Sequence, residues 1–130
     1  MKTFKRVIAV LAVIVMSGAD VPGQTLSTGR VMREKLAHSQ KILEAIMTSD
    51  FASLDRESQE LERATESPAW FTFNSPEYLR HGAAFLRATA DLREAARARD
   101  LDAAALHYMS LTLSCFECHR YMKGSRITER

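Results

Sequence analysis

The sequence predicts an all-α protein, an antiparallel four-helix bundle, on three observations. Apolar residues recur at spacings of three and four through most of the chain beyond residue 27, no stretch alternates as a strand does, and capping residues and prolines divide the periodic region into four segments. The 130 residues, 46% of them hydrophobic with 5 glycines and 3 prolines, suit one compact domain. Each amphipathic stripe must be buried against another, and four of them with one long connection between the second and third make a bundle.

The N-terminus stands apart. "MKTFKR" is basic, "VIAVLAVIVM" is an unbroken apolar run and "SGA" supplies small residues, which together read as a signal peptide over residues 1–19 cut after Ala19. The run from Val7 to Met16 falls well short of the roughly 20 residues a spanning helix needs, so it reads as a leader and not an anchor. Residues 20–130 would then be an exported, periplasmic domain with no membrane span. Losing Lys2, Lys5 and Arg6 leaves 15 basic residues against 16 acidic ones, and the formal charge moves from +2 to about −1. Nothing in that balance suggests nucleic acid as a partner.

After a lead-in, "PGQTLSTG", the first helix is expected from Thr28 to Thr48. Its inner face is read as Met32, Leu36, Leu43, Ile46 and Met47, with Ser39 on the same side. Ser49 or Asp50 caps a second helix carrying Phe51, Leu54, Leu61 and Ala64, which Pro68 ends. The connector "SPAWFTFNSP" breaks the pattern and holds Trp70, Phe71 and Phe73 between two prolines. These aromatics form either a hydrophobic clasp over the end of the bundle or a wall beside a flat ligand or subunit contact. Ser75, Pro76 and Glu77 start a third helix running to about Arg99, with Tyr78, Gly82, Phe85, Thr89, Leu92 and Ala96 inside. Asp100 or Asp102 caps a fourth through Leu106, Tyr108, Leu111 and Cys115 to about Met122, with Gly124 closing it.

The two cysteines of the chain, Cys115 and Cys118, stand three apart with His119 directly behind them. Cys-x-x-Cys-His is the attachment signature of c-type haem. On a helix, residues three and four apart share a face, so two thiols can add to the two vinyl groups of haem while the imidazole reaches the iron from the same side. Three other readings compete. A redox disulfide is expected beside a βαβ pattern and at a helix start, where the dipole lowers a thiol pKa. Structural zinc takes four protein ligands, and no second cysteine pair or paired histidine spacing completes them. A plain disulfide gains little from so short a loop. One covalent haem c, bound by Cys115, Cys118 and His119 on the C-terminal helix, is the expectation.

A leader, four helices and Cys-x-x-Cys-His in the last helix resemble the class II cytochromes c, the cytochrome c′ family, over Thr28 to Gly124. Tyr121 and Lys123 follow the motif as an aromatic and a basic residue do in that family, with lysine where arginine is more usual. Members of the family typically leave the far side of the iron open, whereas low-spin relatives fill it with a methionine from the first helix. Met32 lies at a similar place, before an apolar pair, Ile42 and Leu43, and antiparallel packing brings the early first helix towards the late fourth. The resemblance therefore makes Met32 the candidate distal ligand, and Met/His ligation raises the potential of haem iron. A core methionine filling a gap is the structural alternative for the same residue. His38 is the second-choice ligand, and His81 and His107 read as solvated or edge histidines.

The expected function is that of a periplasmic electron carrier without enzymatic activity, docking weakly with redox partner proteins. Its rival is a five-coordinate protein binding nitric oxide or carbon monoxide, with Met32, Leu36 and Tyr78 shaping the distal pocket. A homodimer through the first two helices is common in the resembled family, but the charges of "DRESQELERATE" mark no clear interface there.

Overall fold

The computed structural model describes residues 27–128; the expected leader, its cleavage site and most of the lead-in lie outside the described residues. Four α-helices follow in order: α1 Thr28–Thr48, α2 Phe51–Ala64, α3 Pro76–Ala98 and α4 Leu101–Thr128, with a 3-10 segment, Pro68–Thr72, between α2 and α3. No strand occurs among the described residues.

Local chemistry fixes the ends. Ser27 accepts a hydrogen bond from the Arg30 amide at 3.4 Å to open α1, and Ser75 does the same for the Tyr78 amide at 3.2 Å to open α3, where Pro76 supplies a preset φ. The turns α1–α2 and α3–α4 use one device twice. Ser49 and Arg99 take left-handed φ values of 54° and 55° to end one helix, and the aspartate that follows caps the next. Asp50 accepts from the Ser53 amide and Asp100 from the Ala103 amide, each at 3.0 Å. Neither position is glycine, so each stores some αL strain, offset by the two carbonyls its own amide satisfies. Turns of so few residues force antiparallel neighbours.

The core joins Ile42, Ala45 and Ile46 of α1, Leu54 and Leu61 of α2, Phe85, Ala88, Leu92, Ala95 and Ala96 of α3, and Ala104 and Leu111 of α4. The stripe expected on α3 is buried throughout. That expected on α1 is not. Val31, Ile42, Ala45 and Ile46 are buried, whereas Leu36, Leu43 and Met47 are exposed. α1 packs closely on α2 but meets α4 only sparsely, so its second apolar face looks into an open cleft and past it to solvent. Gly124 does not close α4, which continues to Thr128. The connector is a capped 3-10 turn. Ser67 caps it, Trp70 turns inward, and Phe71 and Phe73 stay exposed.

Candidate functional site

The sparse α1–α4 seam is a cleft of about 480 Å³. α1 contributes Met32, Lys35, Leu36 and Ser39; the 3-10 segment contributes Trp70; α3 contributes His81 and Phe85; α4 contributes Leu111, Cys115, Cys118 and His119. All four residues singled out from the sequence, Met32, Cys115, Cys118 and His119, thus line one cavity.

Their placement follows from helical geometry. Cys115, Cys118 and His119 occupy one face of α4, with both thiols free and half-buried and the imidazole exposed at the rim. The Ser39 hydroxyl donates to the Tyr108 hydroxyl at 3.4 Å across the seam. Seven residues on from each, in opposite directions along antiparallel helices, are Met32 and Cys115, two turns away and therefore level with each other. Met32 is half-buried against the core on the wall facing the cysteines.

Aromatic residues build the floor. Trp70 lies 5.6 Å from Phe85 and 6.1 Å from Tyr78, centroid to centroid. Its backbone carbonyl accepts from the Tyr78 hydroxyl at 2.5 Å, so Tyr78 is spent on holding the connector down. Gly82 lies beneath the indole, where an added Cβ would touch the ring at 3.6 Å. Of the connector aromatics, Trp70 is buried at the edge of the core and lines the cleft.

The residue that sequence reasoning missed is Lys35. Its ammonium sits 3.6 Å from the centroid of Phe85 and 3.9 Å from that of Trp70, a double cation–π contact, with no carboxylate in salt-bridge reach among the described residues. Burial brings its pKa down from 10.5 to about 8, although the charges of Cys115 and Cys118 pull it up. Burial likewise pushes the Cys118 thiol up, against the pull of Lys35. The phenol of Tyr78 is raised by burial and by Cys118. A long basic side chain on a surface helix reads as solvated; the signal to the contrary is that Lys35 stands beside Met32 and Leu36, on the turn that faces the cleft.

The histidines divide. His38 does not line the cleft; its Nδ1 is 2.8 Å from Glu57 of α2, so the second-choice ligand is engaged on another seam. His81, expected at an edge, has a side chain only 11% exposed, packs against Tyr121 with ring centroids 5.5 Å apart, and lines the cleft. Its position on α3, between Tyr78 and Phe85 of the inner stripe, was the available clue. His107 is at the α3–α4 seam, 3.8 Å from Asp91. A second, more open groove of about 580 Å³ between α3 and α4 is lined by Arg80, Arg87, Glu117 and Arg120 and holds none of the expected site residues.

Among the described residues, no group of three or more His, Cys, Asp or Glu side chains converges to hold a metal ion. Cys115, Cys118 and His119 line a wall and do not enclose a point. The cleft is apolar, flat-walled by aromatics and of small-molecule size, with thiols and imidazole on one side and a thioether on the other. Those features fit a planar apolar group attached from α4. No family model, curated protein or solved structure matches the chain. No helix among the described residues is long and apolar enough to cross a membrane.

Proposed function

We propose that the chain is a c-type cytochrome of the class II kind, a periplasmic carrier of single electrons. The observation that supports this most directly is the convergence of Cys115, Cys118, His119 and Met32 on one apolar cleft. Haem bound there would supply a one-electron iron centre. Cys115 and Cys118 would hold it through thioether links, and His119 would ligate the iron from α4. Met32, level with Cys115 on the opposite wall, would give the sixth ligand, a soft donor that favours the reduced metal. Trp70, Phe85 and Leu111 exclude water from the site and keep its dielectric low, which with ligand identity is how a protein sets a haem potential. With His119 exposed at the rim, haem held there would keep an edge through which a partner could exchange electrons.

The rival reading, a five-coordinate protein binding nitric oxide or carbon monoxide, is favoured by one observation. Leu36, beside Met32, also lines the cleft and could cap an open iron face. The absorption spectrum of the exported protein separates the two. The carrier shows low-spin spectra in both oxidation states, the long-wavelength band of methionine-ligated ferric haem, and no prompt reaction with carbon monoxide. Met32→Ala turns it high-spin and reactive. A wild-type protein already high-spin and carbon-monoxide-reactive contradicts Met32 ligation and installs the gas-binding reading.

A further inference from the structure

α4 carries two apolar faces. The inner one holds Ala104, Leu111 and the site cysteines. On the opposite side, Leu106, Met109, Leu113 and Phe116 are 63%, 64%, 60% and 65% exposed. Their spacings of three, four and three place them in one outward stripe, as in the seam of a coiled coil, with Phe116 at its edge, where it also borders the α1–α4 cleft. A helix apolar all round is ordinarily buried all round. The stripe continues four residues beyond each end to a charge, Asp102 before it and Arg120 after it, both exposed and both without an ion-pair partner among the described residues.

We propose that α4 pairs antiparallel with α4 of a second copy of this chain, about a two-fold axis at the level of Leu111. The stripe is palindromic about that point. In the pair, Leu106 meets Phe116 of the second copy, Met109 meets Leu113, and Asp102 meets Arg120, each contact occurring twice as an isologous interface requires. Hydrophobic knobs thus fill the middle and opposite charges close both ends; a parallel pairing would set like charges against each other.

The same features decide against other occupants. The face carries Asp102 and Glu117 against Arg120 and Lys123, a balanced set and not the basic flank that an anionic lipid surface attracts. The four side chains bare roughly 400 Å² per copy, within the range of the largest patch a monomer leaves exposed. That is below the roughly 800 Å² per partner of a standard interface, so the dimer is reversible, with dissociation on the order of micromolar. The face differs from the first two helices used by the resembled family, and of the four stripe residues Phe116 alone borders the cleft.

Sedimentation of the exported full-length protein from about 1 to 500 μM tests this around the expected micromolar constant. The wild type shifts from monomer to dimer across that range. Leu113→Glu weakens the dimer at least 100-fold with the circular dichroism unchanged, the charge being placed on a surface that is open in the monomer. Asp102→Arg and Arg120→Asp each weaken it roughly tenfold, since two pairs are lost per dimer, and the double variant restores it. A wild type monomeric throughout, a dimer indifferent to Leu113→Glu, a double variant no tighter than the singles, or a monomer captured by phosphatidylcholine or phosphatidylglycerol vesicles would overturn the proposal.

Discussion

The α2–α3 seam and the α1–α4 seam are built from the same kinds of helix and do opposite things. The first is shut. Leu54, Leu61 and Leu92 are essentially without solvent contact, and Arg93 reaches across from α3 to Asp55 at 2.9 Å and Glu62 at 2.6 Å. Both carboxylates raise the guanidinium pKa through those hydrogen bonds, so the clamp stays charged. The second seam is held open, its walls linked by a hydroxyl pair at Ser39 and Tyr108 and its interior lined with aromatic rings and an ammonium. In a bundle whose stability rests on closing seams, leaving one open forfeits apolar burial, a loss that the proposed function would explain as the cost of a binding site.

The contrast can be broken at several points, the largest effect first. In a host that matures c-type cytochromes, Cys115→Ser together with Cys118→Ser removes all covalent haem, seen as loss of the haem stain on denaturing gels, while the α2–α3 seam keeps its helical signal. Leu92→Ala in the shut seam costs about 3–4 kcal/mol in denaturant titration. Leu36→Ala at the open seam costs less than about 1 kcal/mol, because Leu36 is already 59% exposed.

Lys35 sharpens the comparison through pH. Its folded pKa of about 8 lies below the ordinary 10.5, so between those values the unfolded chain binds more protons than the folded one. Stability of the haem-free chain therefore rises with pH from about 8 to 10.5. Below that window the buried charge costs up to about 3 kcal/mol, part of it offset by the two aromatic faces. Lys35→Met is expected to stabilise the haem-free chain at pH 7 and to flatten the rise. Glu57, on the shut side, behaves oppositely. Burial raises its pKa, but hydrogen bonds from His38 and Arg56 and the charge of Lys41 outweigh this and hold it below 4.5. Its contribution is present above pH 4.5 and is lost as the pH falls below that value. The smallest effect is at Ser58, fully buried with no hydrogen-bond partner for its hydroxyl among the described residues. Ser58→Ala should be neutral or stabilising by about 1 kcal/mol in the same titration.

Most of the shut part of the molecule was legible in the amino acids. Ser75-Pro76-Glu77 and the aspartates at 50 and 100 announce helix starts, and the α3 stripe from Tyr78 to Ala96 outweighs in bulk the exposed face of Leu79, Ala83, Leu86 and Ala90. α1 was harder because it has two apolar faces, Val31–Ile42–Ala45–Ile46 and Leu36–Leu43–Met47, and periodicity does not distinguish a core face from one beside a cleft. Gly124 reads as a stop, but helical backbone continues past it to Thr128. Within the site, the α4 residues were legible because their chemistry is local in sequence. Lys35 and His81 were not, because what sets them apart is the rings beside them, brought there by Trp70 of a connector distant in sequence from Lys35 in one case and by the far end of α4 in the other.

The most direct test of the proposed function is the intact mass, under denaturing conditions, of the exported protein purified from a host that attaches haem. The prediction is a coloured chain heavier than its polypeptide by one haem, with the increment lost in the double cysteine-to-serine variant. A colourless chain at the bare polypeptide mass, from a host that matures other such cytochromes in parallel, would contradict it.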